Sequence, residues 1–232
     1  DAVYALSTES AACISFAELD AGSRRLGALL RRHGLGPGDT VSLVMPNGLQ
    51  TLRILLGAMA QGLIVNPVNL LSQAEQMRYV LGHSDCKLVF VSPDWEAPVR
   101  ALLAGIGRQV ELIVAEPDGL RLPGEDDTEF IATATPASAV ALLMYTSGTT
   151  GVPKGVMLSQ ANLLANARSI SAEHALTPAD RVLGVLPLYH INAFAVTMLA
   201  PLAHGGSVAV APRFSAARFW AQAVDTQCTW IN

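Results

Sequence analysis

One stretch decides the interpretation of this chain: Tyr145-Thr146-Ser147-Gly148-Thr149-Thr150-Gly151-Val152-Pro153-Lys154-Gly155. It lies between two apolar runs, Val140–Met144 and Val156–Leu158, which are predicted to be short buried strands. Glycines let the backbone adopt positive φ and bring its N–H groups close to a ligand. Hydroxyls add donors and the lysine adds a mobile positive charge, so the composition suits a polyanion such as the phosphate tail of a nucleotide.

Two common phosphate-binding loops do not fit this stretch. A Walker A loop places Gly before its lysine and Ser or Thr after it, whereas Pro153 and Gly155 flank Lys154. The dinucleotide pattern G-x-G-x-x-G is also absent from the stretch. The simpler alternative is a glycine-rich hairpin turn that binds nothing. The hydroxyl residues and the following lysine favour the phosphate-binding interpretation, because a plain turn needs neither.

The stretch from Tyr145 to Gly155 resembles the signature loop of the adenylate-forming superfamily, [YF]-T-S-G-[ST]-T-G-x-P-K-G, and matches it at every position. That superfamily includes acyl-CoA synthetases, aryl-CoA ligases, luciferases and peptide-synthetase adenylation domains. A second motif of the family is a proline, a hydrophobic residue, an aromatic residue and a histidine. In this chain, Pro187-Leu188-Tyr189-His190 resembles that second motif.

The resemblance implies a two-step reaction without a covalent enzyme intermediate. A carboxylate attacks the α-phosphorus of ATP with the help of Mg²⁺, and a thiol, usually that of coenzyme A, then displaces AMP. Lys154 is implied to add positive potential at the leaving pyrophosphate, although it could instead only close the loop. Tyr189 and His190 are implied to border the acyl carboxylate. The residues implied to cradle the β- and γ-phosphates are Thr146, Ser147, Gly148, Thr149, Thr150 and Gly151.

The acid and the thiol acceptor stay open in the sequence. Amino-acid-activating relatives carry an aspartate soon after the position of His190, but here the next acidic residue is Asp225. This difference favours an uncharged acyl or aryl acid, with fatty-acyl, carnitine-type and aryl-CoA ligases all open. An enzyme that loads a carrier protein and a nucleotide-binding module without catalysis are the alternatives to a CoA ligase.

Apolar runs alternate with helical patterns along the chain, which predicts an α/β fold with parallel-type sheets flanked by helices. Of the 232 residues, 51% are hydrophobic and 15% charged, as expected for strands covered on both faces. Two lobes are predicted, residues 1–115 and 139–232, joined by a surface linker at 116–138 that carries the acidic run Glu125-Asp126-Asp127. That run is expected to be a solvated loop rather than a cation site. Asn47 and Asn66, beside turn residues, are explained by turn chemistry.

Local patterns predict the individual elements. Ser15 and Ser72 each begin a capping-box pattern and so predict helices ending near Gly34 and Gly82. The other predicted helices are Leu49–Gln61, Glu96–Gly105, Gln160–His174, Ala193–Leu202 and Ser215–Val224. The other predicted strands are Thr40–Met45, Leu63–Val68, Lys87–Val91, Val110–Ala115, Arg181–Leu186 and Ser207–Ala211, followed by a β-prone run at Cys228–Asn232.

Charge and composition exclude other classes of protein. The net charge is −4 and no block of basic residues occurs, which argues against nucleic-acid binding. Polar and helix-breaking residues interrupt the uncharged stretches Ile54–Ala74 and Val182–Pro212, so buried core is predicted there rather than a transmembrane segment. The odd number of cysteines, 3, favours a reducing compartment, and the cytoplasm is expected. The chain is expected to be a fragment that does not catalyse adenylation alone, because it lacks the family's downstream motifs.

Overall fold

Strands and helices alternate because apolar runs of strand length are separated by longer amphipathic segments. The computed structural model describes residues 2–132, 134–146 and 152–232. In these residues the strands are β1 Val3–Ser7, β2 Cys13–Ser15, β3 Thr40–Val44, β4 Ile64–Pro67, β5 Leu88–Val91, β6 Glu111–Val114, β7 Val140–Thr146, β8 Lys154–Ser159, β9 Arg181–Gly184, β10 Ser207–Val210 and β11 Trp230–Ile231.

The helices lie between these strands and cover the sheets. They are α1 Phe16–Arg32, α2 Leu49–Ala60, α3 Ala74–His83, α4 Pro93–Ala104, α5 Gln160–Glu173, α6 Ile191–Ala193, a π-helix Phe194–Leu199, α7 Ala200–His204 and α8 Phe219–Asp225. The mixed α/β architecture predicted from the sequence is confirmed.

Two mixed sheets organise the fold. The six-stranded sheet has the order β6-β5-β3-β4-β7-β8, and the five-stranded sheet has the order β11-β9-β10-β1-β2. All the pairings are parallel except two, β1 with β2 and β7 with β8. Every residue of β3 and of β5 is buried, as expected for parallel strands with helices on both faces.

Strand pairing crosses the predicted lobe boundary in both directions. β7 and β8 follow the linker in the sequence, yet they extend the sheet built from β3–β6. β1 precedes the linker, yet it pairs in parallel with β10 through Ala5 and Val208. The sheets therefore do not separate at residues 116–138, and the division of the chain into domains stays a prediction. Periodicity could not predict this exchange, because it identifies a strand but not its neighbour.

The segment predicted to be a surface linker is hydrogen-bonded to the start of α2 and to β1. The carbonyl of Pro117 accepts a hydrogen bond from Gln50 N at 2.7 Å, and the carboxylate of Asp118 accepts from Leu49 N at 3.0 Å, so this segment caps the N-terminus of α2. Asp118 also accepts from the hydroxyl of Ser7 in β1 at 2.6 Å. A side chain at Gly48 would come within 2.2 Å of the Pro117 carbonyl oxygen, so the close approach requires glycine.

The acidic run is not a fully solvated loop, and that prediction is wrong for Glu125. Its side chain is 0% exposed and forms a bidentate ion pair with Arg53, whose guanidinium lies 2.5 and 2.8 Å from the two carboxylate oxygens. Arg25 donates to the same carboxylate at 3.1 Å. Asp127 remains exposed beside Arg121. The run was misinterpreted because its partners lie on α1 and α2, far away in the sequence.

The turn interpretation is also wrong for the two asparagines. Asn66 is fully buried inside β4 and donates from Nδ2 to the hydroxyl of Ser42 in β3 at 2.9 Å. Asn47 is 6% exposed, and its amide bonds to backbone groups of Leu186 and Leu188 in the other half of the chain. Both side-chain amides form hydrogen bonds to other strands or segments. Local sequence context does not reveal these partners.

Several element boundaries differ from those predicted. β1 and β2 were not predicted, α4 begins earlier at Pro93, and α8 begins later at Phe219. The predicted helix Ala193–Leu202 is divided into α6, the π-helix and α7. α3 begins after Gln73, whose side chain forms a capping box with Gln76, and not after Ser72. The predicted box at Ser15 and Glu18 is confirmed.

Candidate functional site

β7 and β8 form an antiparallel hairpin around the predicted phosphate loop. Thr146, the last residue of β7, is paired with Lys154, the first residue of β8. The loop residues Ser147, Gly148, Thr149, Thr150 and Gly151 lie outside the described residues. The hairpin therefore fixes both ends of the predicted loop.

The two strands of this hairpin differ in burial. Leu142 and Met144 of β7 are buried, as the sequence predicted. β8 was also predicted to be buried, but Val156 is 43% and Met157 is 67% exposed. The prediction was wrong because β8 is an edge strand, which pairs only with β7 among the described strands. A Cβ at Gly155 would lie 2.9 Å from Cδ1 of Leu143, so a larger residue there would require the leucine side chain to move.

β7 is adjacent to β4, and the two run parallel through the pairing of Val65 with Leu142. Thr146 therefore ends β7 on the side of the sheet where the parallel strands have their carboxyl ends, which is where ligands bind in open α/β sheets. The connection from β4 to α3 emerges on the same side, next to the end of β7. Sequence reasoning missed this connection as part of the site, although its place after a strand of the same sheet was a usable signal once the strand order was known.

A cavity of about 140 Å³ joins the two sequence motifs. Tyr145, Thr146 and Pro153 come from the hairpin, and Tyr189 comes from the second motif. The remaining wall consists of residues from the end of β4, the following connection and α3, namely Pro67, Val68, Asn69, Leu71, Ser72, Gln76 and Val80. The structure thus places Thr146 and Tyr189 in the wall of one cavity, and the roles that the resemblance implies for them stay predictions.

His190 and Lys154 lie at the margin of this cavity and not in its wall. Both side chains are exposed. The ring of His190 contacts Tyr189 edge to face, with 4.8 Å between the ring centroids. Lys154 is held next to the cavity through its pairing with Thr146.

The two phenols of the cavity are held in their protonated form at neutral pH. Burial raises the pKa of Tyr145 to about 12, and burial also raises the pKa of Tyr189. Tyr145 Oη lies 2.7 Å from Nδ1 of His83 in α3, and it can donate to that nitrogen when the nitrogen is unprotonated. The ring of His83 stacks on Tyr79 at 5.2 Å. The phenols can therefore orient a ligand but not act as bases.

The cavity wall contains no carboxylate, and among residues 2–132, 134–146 and 152–232 no three His, Cys, Asp or Glu side chains cluster as metal ligands would. The residues around the cavity thus do not fit a site for Mg²⁺, which prefers oxygen ligands and at least one carboxylate.

Among residues 2–132, 134–146 and 152–232, no helix is both long and apolar enough to cross a bilayer.

Comparison with known proteins identifies the same family as the two sequence motifs. The family of AMP-binding enzymes matches residues 2–232. A sulfoacetate–CoA ligase of Cupriavidus necator is 52% identical over 235 residues, which cover 100% of this chain and 46% of that protein. An oxalate–CoA ligase of Arabidopsis thaliana is 32% identical over 223 residues, covering 90% of this chain and 42% of that protein. The chain thus spans a little under half the length of these relatives.

Solved structures share the fold. ATP-bound MatB from Rhodopseudomonas palustris superposes with a TM-score of 0.87 at 26% identity, covering 99% of this chain and 46% of that one. The inhibitor-bound N-terminal domain of FACL13 from Mycobacterium tuberculosis gives 0.87 at 26%, covering 98% and 57%. With the signature loop, the Pro187–His190 motif and the family match over residues 2–232, the chain belongs to the AMP-binding enzyme family, the adenylate-forming superfamily that the sequence resembled.

Proposed function

We propose that this chain forms part of an acid–thiol ligase that activates a carboxylic acid with ATP and transfers the acyl group to coenzyme A. The observation that carries the proposal is the cavity lined both by Thr146, at the start of the predicted phosphate loop, and by Tyr189 of the second motif. The reaction requires the nucleotide phosphate and the acid to bind next to each other. A cavity lined by one residue from each motif supports binding of both reactants at this place. The similarity to proteins named as CoA ligases supports the same chemistry.

The proposed reaction has two balanced steps. A carboxylate oxygen forms a bond to the α-phosphorus of ATP while the bond from that phosphorus to the bridging oxygen breaks and pyrophosphate leaves. The thiolate of coenzyme A then adds to the acyl carbon, and AMP leaves with the electrons of the broken C–O bond. The first step brings an anion towards a polyanion, so charge neutralisation and fixed donors carry most of the catalysis.

The residues of this chain have separate proposed roles. The hydroxyl of Thr146 and the loop residues Ser147, Gly148, Thr149, Thr150 and Gly151 bind the β- and γ-phosphates. Lys154 places its positive charge beside the departing pyrophosphate. Tyr189 and His190 orient the acid at the mouth of its pocket, where the protonated phenol of Tyr189 donates a hydrogen bond. Mg²⁺ supplies further charge neutralisation in such reactions, but we assign no residue of this chain to it.

Two features bear on the choice of acid. The relative that is 52% identical is named for sulfoacetate, and another is named for oxalate. Both acids are short and carry a second anionic group, which puts that class ahead of the uncharged acids that the lack of a nearby aspartate favoured. Coenzyme A is the proposed thiol, with a carrier protein as the alternative. The free thiols of Cys13, Cys86 and Cys228 support the cytoplasm as the compartment.

Pyrophosphate release by the full-length protein tests the proposal. The assay contains ATP and magnesium, and the panel of acids includes sulfoacetate, oxalate, malonate, straight-chain fatty acids and aromatic acids. We expect release that depends on the acid and, with coenzyme A present, formation of the matching thioester. A folded protein that releases no pyrophosphate with any acid would favour a nucleotide-binding module without catalysis.

The two lysines of the chain provide a matched pair for the same assay. Lys154→Met should lower kcat/KM for ATP by about 10²-fold, the cost typical of losing one fixed donor to a developing charge. Lys87→Met should leave it unchanged, because Lys87 lies at the amino end of β5 and pairs with Asp39 at 2.7 Å. Equal effects of the two substitutions would remove Lys154 from the proposed site.

A further inference from the structure

We infer that Asn47 is a positioning residue that fixes the loop carrying Tyr189 and His190 against the six-stranded sheet. Its Nδ2 donates a hydrogen bond to the carbonyl of Leu186 at 2.9 Å, and its Oδ1 accepts one from the backbone N–H of Leu188 at 3.1 Å. The residue is only 6% exposed, so water does not readily replace either bond. The inference rests on the proposed function, in which this loop borders the acid.

The backbone that carries Asn47 is constrained by strand pairing and by a turn hydrogen bond. Asn47 follows β3, which is hydrogen-bonded to β4 on one side and to β5 on the other. The turn after β3 is held by the hydroxyl of Thr51, which donates to the carbonyl of Pro46 at 2.7 Å. A side chain on so constrained a backbone has little freedom, and a group bonded to it is held at a defined distance from the sheet.

The loop that Asn47 holds belongs to the other sheet. Residues Pro187–His190 follow β9, and their turn is closed by a hydrogen bond from His190 N to the carbonyl of Pro187 at 3.0 Å. The two bonds from Asn47 reach the backbone on either side of Pro187, at separations of 139 and 141 residues in the sequence. They therefore join the connection after β3 of the six-stranded sheet to the site loop of the five-stranded sheet.

The side-chain amide is suited to this place because it donates and accepts at once. Aspartate can accept from Leu188 N but, when ionised, cannot donate to Leu186, and an apolar side chain can do neither. Loss of the amide would leave a carbonyl and an N–H with unmet hydrogen-bonding capacity on a part-buried loop. The loop would then gain freedom at Tyr189, which lines the same cavity as Thr146.

Gln61 provides a matched control for the loss of a buried amide. It is 7% exposed and, like Asn47, donates from its side chain to a backbone carbonyl, that of Ser23 in α1, at 3.1 Å. Its partner lies in α1 and neither residue is in the cavity wall. A purely structural role for Asn47 predicts that the two substitutions to alanine act alike.

The experiment compares Asn47→Ala and Gln61→Ala in the full-length protein. We expect Asn47→Ala to raise KM for the acid by at least about tenfold, because small displacements of orienting groups cost up to about 10²-fold. KM for ATP should change by less than about twofold, since the hairpin that binds phosphate keeps its own strand pairing. Deuterium uptake of a peptide spanning residues 186–190 should rise in Asn47→Ala and stay unchanged in Gln61→Ala.

A second variant distinguishes loss of the hydrogen bonds of Asn47 from unfolding of the protein. Asn47→Asp has nearly the same volume and keeps the acceptor for Leu188 N, so its KM for the acid should rise less than in Asn47→Ala. Unchanged deuterium uptake at residues 186–190, or an equal rise of KM for the acid and for ATP, would overturn the inference. If the wild-type protein activates no acid, the proposed function fails by itself, and deuterium uptake alone still decides whether Asn47 holds the loop.

Discussion

Glu125 stabilises the fold through a buried ion pair with arginines that are far away in the sequence. Its carboxylate is buried against Arg53, which is 3% exposed, and Arg25. Glu125→Gln should lower the free energy of unfolding by about 3 kcal/mol, because removing one partner leaves a buried charge uncompensated. Asp127→Asn, two positions away and exposed beside Arg121, should have no measurable effect. Urea denaturation of the two variants compares them, and similar losses of stability would contradict the role assigned to Glu125.

The same carboxylate predicts how stability depends on pH. Burial by itself would raise the pKa of Glu125, but the hydrogen bonds and charge of Arg53 outweigh it and lower the pKa below its ordinary 4.5. A lowered pKa in the folded state means that the contribution is complete above the ordinary pKa and is lost as the pH falls through the folded one. The stability difference between wild type and Glu125→Gln should therefore shrink as the pH falls below the ordinary pKa of 4.5 and through the lower pKa of the folded state. A difference that stayed constant at acid pH would contradict the ion pair.

Residue-level prediction from sequence failed where a residue's partner is remote. Thr146 and Tyr189 each lie in a motif and both line one cavity, while the roles assigned to them stay predictions. Asn47 was attributed to its turn, yet its hydrogen-bond partners are 139 and 141 residues away. No local pattern specifies such a contact, since it depends on how two sheets are placed.

At the scale of an element, α5 provides a test of capping. Ser159 accepts a hydrogen bond from Asn162 N and completes a capping box at the start of the helix. Ser159→Ala should destabilise the protein by about 1 kcal/mol, the usual cost of losing such a cap. Ser169→Ala, on the exposed face inside the same helix, should be neutral or stabilise by up to about 0.5 kcal/mol, because alanine is the better helix former. Thermal unfolding of both variants measures the difference, and effects of equal sign would argue against capping by Ser159.

Elements were predictable from the sequence where a start signal and a period coincided. The capping-box pattern at Ser15 predicted a helix that the structure confirms. The π-helix Phe194–Leu199 was expected as ordinary helix, because side-chain spacing does not register the extra residue in its turns. The exposure of β8 could not be foreseen either, since an edge strand and a central strand can share the same apolar run.

At the scale of the whole molecule, the largest apolar cluster of the described residues contains buried side chains of both sheets. The same apolar cluster contains Tyr4 of β1, Val41 of β3, Leu142 of β7 and Val208 of β10. Tyr4 is fully buried, and its hydroxyl donates to the carbonyl of Met198 in the π-helix at 2.9 Å. The sequence predicted the layers of this architecture but not the exchange of strands between its halves, because pairing depends on contacts between distant segments.

Tyr4→Ala should therefore weaken both sheets together. We expect a loss of about 3–5 kcal/mol, the range for truncating a large buried aromatic side chain. Tyr79→Ala, at a residue that is 36% exposed, should cost much less. Unfolding followed by far-ultraviolet circular dichroism and by tryptophan fluorescence should give one coincident transition at lower denaturant. Two separate transitions, with only one of them shifted, would show that the sheets do not share a core.

The pairing of β1 with β10 has a consequence for biosynthesis. Ala5 leaves the ribosome roughly 200 residues before its partner Val208, so at ordinary rates of about 5–20 residues per second it waits for about 10–40 seconds. During that interval β2 is the strand partner that β1 has, and the edge of β1 that later pairs with β10 remains available to other nascent chains. Newly made chains are thus expected to need chaperones that bind the N-terminal segment, and slower translation would prolong that need.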